Sequence, residues 1–214
     1  MSKRAIKIIL FVFLFSLVYA FFRYHIFEEV PYKDFALYVM NKCLALTAFG
    51  LLTITFTMGP AKSLGVDVPD PWLASRKEIG SVSFLVALAH VLCSMLTFGS
   101  GGYYAKFFAA EGGINAIGSW SMLLGVCSFV WLWGYYISFK THQEGEEQFF
   151  KLITSKGSLT LAALLSAGHV TVMGFNGWVQ PGNWAGGMPP ITLVAFVVFF
   201  VGSIINLRGR RWKA

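Results

Sequence analysis

Acidic residues are scarce. The 214-residue chain has 10 Asp and Glu against 17 Lys and Arg, and only 13% of it is charged. The long apolar stretches are nearly free of carboxylates, which argues against the carboxylate relay of a proton-coupled transporter. Cysteine is equally sparse. Cys43, Cys93 and Cys127 lie far apart within apolar stretches and form no CxxC or CxxCH pattern. Neither a zinc site nor covalent haem attachment is signalled, and buried free thiols of this kind behave as small apolar residues. There is no GxGxxG fingerprint and no room for a nucleotide-binding domain, so this chain alone cannot oxidise NAD(P)H. No connecting stretch is long enough for a separate soluble domain.

What the chain does have is apolar sequence, 56% of its residues. Runs of about 18 or more apolar residues mark transmembrane helices. Six such runs occur, at residues 5–22, 35–56, 79–98, 116–139, 158–175 and 191–207. The expected fold is an all-α membrane protein, a bundle of six transmembrane helices forming a single domain over residues 1–214. Lys3, Arg4 and Lys7 before the first run resemble the start of a signal peptide. The run is long, however, and Phe-Phe-Arg-Tyr-His follows it instead of a small-x-small cleavage site, so a retained helix is expected.

The net charge of +7 is topological rather than a nucleic-acid footprint. Thirteen of the cations fall at the two termini and in the second-to-third and fourth-to-fifth connections, against Arg23, Lys33 and Lys106 on the other side. The positive-inside rule then places both termini in the cytoplasm, as an even number of spans also requires. A multi-pass protein of a bacterial-type inner membrane is expected, in contact with lipid and with no nucleic-acid partner. The outer connections are rich in Gly and aromatics, and Tyr103, Tyr104, Trp178 and Trp184 suit an interfacial belt. The loop 141–148 is the most polar stretch and reads as a solvated connector.

Two histidines carry the chemistry. His90 lies about 11 residues into the third run and His169 about 12 into the fifth, and both runs go from inside to outside. At about 1.5 Å per residue both sit about 17 Å from the inner boundary, near the middle of a core about 30 Å thick. An intramembrane imidazole needs a partner, and a pair at equal depth suggests one object held between two helices. A haem is that object, since its iron takes axial imidazoles from opposite faces. Ser83, Ala87, His90, Ser94 and Thr97 share one helical face, as do Ala162, Leu165, His169 and Met173, with Ser166 and Gly168 adjacent. Small side chains there either admit a flat macrocycle or simply let helices pack, each His then bonding a neighbouring hydroxyl or carbonyl. His25 and His142 read as solvated surface histidines. Lys42 is the one fully charged residue deep in a span. It either snorkels to the outer surface or neutralises a haem propionate, for which Arg23, Lys106, Asn176 and Trp184 stand at suitable heights.

Three pieces, in order and spacing, resemble the ferric-reductase-like transmembrane domain superfamily over residues 35–175. They are the second run from Asn41 to its Gly59-Pro60 end, Arg76-Lys-Glu-Ile-Gly80 followed by His90, and the fifth run with His169. The likeness is to its single-haem form without a nucleotide-binding domain, as in the haem subunit of the periplasmic methionine-sulfoxide reductase system. Two-haem members carry a second His 13 or 14 residues towards the cytoplasm on each ligating helix. Here those positions are Arg76 or Lys77, and Lys156. The resemblance therefore implies one haem b held by His90 and His169, with a flavin or quinone as candidate near the cytoplasmic side, held by Arg76, Lys77 and Lys156. It implies an electron-transfer subunit of an oxidoreductase, working with redox partner subunits and not a complete enzyme alone. The alternative is a haem-free transporter or anchor subunit.

Overall fold

A computed structural model describes residues 1–138 and 147–211. His142, Lys140 and most of the polar 141–148 loop lie outside the described residues, as do Lys213 and the side chain of Lys156. Among the described residues the regular structure is helical. The elements are α1 (Lys3–Ala20), α2 (Met40–Ser63), α3 (Asp70–Ala74), α4 (Arg76–Thr97), α5 (Ala116–Ile137), α6 (Glu147–Ile153), α7 (Lys156–Trp178) and α8 (Ile191–Arg211). Six helices are long and apolar enough to cross a membrane, as expected. The second is longer than its apolar run. It spans Tyr32–Ser63 through a 3-10 turn, a π-helical turn and α2, because Pro60 is accommodated inside the helix rather than ending it.

Adjacent spans run in opposite directions, so the bundle has two ends. The terminal end gathers the N-terminus, the last turn of α2, the first turn of α4 and the last turn of α8. Ser2 caps α1 by accepting from the Ala5 N–H, and its own N–H and hydroxyl donate to the Glu78 carboxylate at 2.7 to 3.1 Å. Ser63 donates to the Gly209 carbonyl at 3.0 Å. The distal end gathers the α1–α2, α4–α5 and α7–α8 connections. There Tyr19 donates to the Pro189 carbonyl at 2.6 Å and Tyr103 donates to Asp34 at 2.8 Å.

The central helix is α2, which packs on α1, α4 and α8 and touches α7. It buries residues all round, from Asn41 and Cys43 through Leu51 and Thr55 to Met58 and Ala61. In hydrocarbon no water satisfies a stray backbone group, so every one needs an internal partner. Pro60 lacks an N–H and frees the carbonyl of Phe56 four residues back. The Asn206 side chain of α8 donates to that carbonyl at 2.9 Å. Gly202 and Gly209 let α8 approach α2 this closely, since a Cβ on either would strike Thr53 or the Pro60 backbone.

Towards the terminal end, the space between α4, α5 and α7 is filled by aromatic side chains. Phe84 stacks on Tyr136 at 4.7 Å and on Phe129 at 5.5 Å. Only about 10 Å³ of cavity remains beside them. The cysteines are free; Cys43 is buried, whereas Cys93 is half-buried and Cys127 is exposed on the bundle surface.

The Asn206 bond yields a double-variant test. Asn206→Leu should lower stability by about 1–3 kcal/mol, the cost of orphaning a buried carbonyl. Pro60→Ala restores an N–H for Phe56, so Asn206→Leu in a Pro60→Ala background should cost much less. Denaturant unfolding in mixed micelles, followed by tryptophan fluorescence, reads the difference; equal costs in both backgrounds would show that the bond does not cap the proline break.

Candidate functional site

His90 lies 14 residues after Arg76, the first of α4, and His169 lies 13 after Lys156, the first of α7. Both helices start at the terminal end, so the two imidazoles are level about 20 Å along their helices. The histidine helices do not pack on each other; α4 lies mainly on α2 and α7 mainly on α5. The rings are nevertheless within electrostatic reach of each other, and both are within reach of Lys42. Each ring is half-buried.

Each imidazole is held by its own neighbouring helix. His169 Nδ1 lies 2.7 Å from the Ser121 carbonyl and 3.0 Å from the Ser121 hydroxyl on α5. A carbonyl only accepts, so Nδ1 carries the proton and donates. His90 Nδ1 lies 2.6 Å from Asn41 Oδ1 on α2. The Asn41 amide is oriented by its Nδ2, which donates to the Ser94 hydroxyl at 3.0 Å and the Tyr104 hydroxyl at 3.3 Å. The Ser94 hydroxyl also lies 3.5 Å from Oδ1; with Oδ1 facing the ring as the acceptor, His90 too carries its proton on Nδ1. Among the described residues neither Nε2 has a hydrogen-bond partner. Both rings therefore present an Nε2 lone pair, the tautomer of a metal-ligating histidine with its second nitrogen fixed.

Gly125 completes the cradle of His169. A Cβ there would come within 3.0 Å of Nδ1 and 3.3 Å of Cε1. With Ser121 one turn earlier, α5 offers a carbonyl, a hydroxyl and a bare backbone to one ring.

Several of the small residues singled out in the sequence knit helix pairs together. Ser83 donates to the Ala48 carbonyl at 2.7 Å, tying α4 to α2. Ser128 donates to the Ala162 carbonyl at 3.0 Å and meets Ser166 at 2.6 Å, tying α5 to α7. Gly168 packs under Leu124. Arg76 and Lys77 are not brought to the histidines; they open α4 at the terminal end. Arg76 Nε donates to the Thr55 carbonyl at 3.1 Å, and its guanidinium lies over Gly59, so it fastens α4 to α2. Lys77 is exposed on the same turn.

Two expectations need correction. His25 is no solvated surface residue: its Nδ1 lies 2.8 Å from the Val30 carbonyl, and its ring sits among Phe21, Tyr32 and Phe35. The tight turn after α1 folds the chain back over it. Tyr104 is buried rather than part of an interfacial belt, because its hydroxyl joins the Asn41 network. Lys42 does run outward along α2, but it ends beneath tyrosines, 5.0 Å from the Tyr38 ring centre and 5.1 Å from that of Tyr104.

Asn41, Ser121 and Gly125 were missed in the sequence. Asn41 left a trace, an amide opening an apolar run. A backbone carbonyl and a glycine that makes room for a ring left none. Compared with known protein families and with curated proteins, the chain matches none.

The tautomers are directly measurable. In ring-labelled protein free of added cofactor, ¹⁵N spectra should show protonated Nδ1 and pyridine-type Nε2 at both histidines. Asn41→Leu should leave His90 a tautomer mixture while His169 keeps the wild-type pattern. A protonated Nε2 at either residue in the wild type contradicts the assignment.

Proposed function

We propose that this chain is a membrane b-type cytochrome subunit that passes single electrons through one haem ligated by His90 and His169. The observation that carries this is the facing pair of imidazoles. Each has Nδ1–H bonded to an acceptor on a separate helix, which leaves Nε2 as a lone pair, and the two rings are within electrostatic reach of each other. Two imidazoles are too few to hold a bare ion, and no group of three or more His, Cys, Asp or Glu occurs among the described residues. A macrocycle supplies the missing four donors. The sequence resemblance to the single-haem ferric-reductase-like domain, which rests on the same two histidines, points the same way.

A haem bound here supplies a one-electron couple with no open iron position, suited to electron transfer rather than substrate binding at the metal. The protein's own residues do the rest. Asn41 and the Ser121 carbonyl fix the ring orientations and make both imidazoles more basic. Gly125 leaves room for the His169 ring. The aromatic packing of Phe84, Phe129 and Tyr136 keeps the terminal half dry.

With thirteen cations on its side, the terminal end is read as cytoplasmic, in a bacterial-type inner membrane. The donor is then a quinol, or a flavin or partner subunit on the cytoplasmic face, and the acceptor an extracytoplasmic partner. A flavin or quinone held by Arg76, Lys77 and Lys156 would lie at the starts of α4 and α7, towards the terminal end from the histidines. A haem-free transporter or anchor subunit is the second reading. It is favoured by one observation, that each histidine already has a hydrogen-bond partner without any ligand.

Reduced-minus-oxidised spectra with a haemochrome assay separate the two. The wild type should carry about one b-type haem per chain, and His90→Ala and His169→Ala should each lose it. Asn41→Leu should keep the haem but raise its midpoint potential, because a less basic imidazole stabilises ferric iron less. A wild type without haem after expression with ample haem supply would sink the reading in favour of the haem-free one.

A further inference from the structure

Four rings form a continuous row at the distal end. Tyr24 lies 5.9 Å from Tyr38, Tyr38 lies 6.0 Å from Tyr104, and Tyr104 lies 6.3 Å from Phe107. Three cations lie along it. Arg23 sits 5.3 Å from the Tyr24 centre, Lys42 lies over both Tyr38 and Tyr104, and Lys106 sits 5.2 Å from the Phe107 centre. Arg23 has a carboxylate partner, Glu28 at 3.6 Å. Among the described residues neither lysine shares an ion pair; Asp34, the other nearby acid, is engaged with the Tyr103 hydroxyl. Loss of solvent around Lys106, and then the charge of Lys42, holds the Lys106 ammonium below the usual lysine range. Among the described residues Glu28 is the one acid that acts on Lys106, from a distance beyond an ion pair, so two lysines gathered on ring faces beside a half-buried site offer positive charge to an anion. The row is joined to the site itself, since Tyr104 also holds Asn41, which holds His90.

We infer that Lys42 and Lys106 are the two anchors for the haem propionates, so that the macrocycle sits with its carboxylate edge towards the distal end. The assignment rests on the haem reading above. It draws on both lysines as cations held on ring faces, where the aromatic quadrupoles support them until the carboxylates arrive. Of the other candidates at this height, the Trp184 indole donates to the Gly177 carbonyl at 2.9 Å; Arg23 lies 3.6 Å from Glu28 with its Nε and Nη1 buried and, among the described residues, without a hydrogen-bond partner, on the Tyr24 end of the row away from Lys106.

The test compares protohaem with its dimethyl ester, which keeps the ring and iron and lacks the carboxylate charges. Full-length protein is stripped, reloaded with either, and the rate of loss to an excess haem scavenger is followed optically. The wild type should lose the diester about tenfold faster or more, the usual weight of a charge-assisted contact. Lys42→Met and Lys106→Met should each speed protohaem loss to a similar degree and leave diester loss unchanged, while Lys42→Arg keeps the preference. A wild type that binds both forms and releases them at one rate overturns this assignment and leaves the haem reading intact. So does a preference that survives in both Met variants. A wild type that binds neither overturns the haem reading and this assignment with it.

Discussion

The constraint on which this structure depends is that polar groups inside hydrocarbon must find partners within the protein. Helix α2 is where most of them do. Its Ala48 carbonyl takes Ser83, its Thr55 carbonyl takes Arg76, and its proline-freed Phe56 carbonyl takes Asn206. Its threonines at 53, 55 and 57 return their hydroxyls to carbonyls four residues back, which removes three polar groups from the apolar interior. Its Asn41 takes His90. With the Asn41–Ser94 and Ser63–Gly209 bonds added, α2 fixes the register of α4 by four bonds and that of α8 by two, and the depth of His90 follows from that register. Each bond is modest alone. Together they set the axial position of a helix that smooth apolar packing would let slide.

The second consequence is a division of labour between helix pairs. Helix α4 is fastened to α2, and α7 is fastened to α5 through Ser128, Ala162 and Ser166. Each histidine is then oriented by the helix to which its own is fastened, through Asn41 in one case and Ser121 in the other. The distance between the rings is set by how the two pairs meet, not by any contact between the histidines. This is how a scaffold preorganises ligands for a rigid object it must accept between them, with the rings locked beforehand.

The six spans were legible in the sequence because apolar length is a one-dimensional signal. So was the level placement of His90 and His169, which needs only helix starts and a fixed rise per residue. The ends were less so. Apolar sequence pauses at Phe56, yet α2 runs on to Ser63, because Asn206, 150 residues away, satisfies what Pro60 leaves open. The fate of Tyr104 was illegible for a related reason. Loop aromatics usually sit at an interface, and nothing local shows that this one closes over Asn41. The partner of His169 is a main-chain carbonyl, to which no residue type corresponds, and Gly125 reads as any helix glycine until the ring beside it is seen. Of the two roles open to the small residues, Ser83, Ser166 and Gly168 take that of packing.

The charge distribution argues for a direction of exchange on the proposed reading. Adding an electron to a site in low dielectric is opposed unless positive charge lies near, because the Coulomb term grows as the dielectric falls. Lys42 is within electrostatic reach of both imidazoles, and Lys106 is within reach of Lys42. Both lie towards the distal end. Towards the terminal end the stacked rings of Phe84, Phe129 and Tyr136 join α4 to α5 instead. On the proposed reading, Lys42 stabilises the reduced state from the distal side. An acceptor that docks at the distal end approaches through the tyrosines rather than through a charged desert, since Tyr103 stacks on Tyr38 at 3.9 Å and is itself partly exposed. A donor at the terminal end faces the longer, drier path. On this reading the two exchange steps are unequal by construction, with distal exchange the faster.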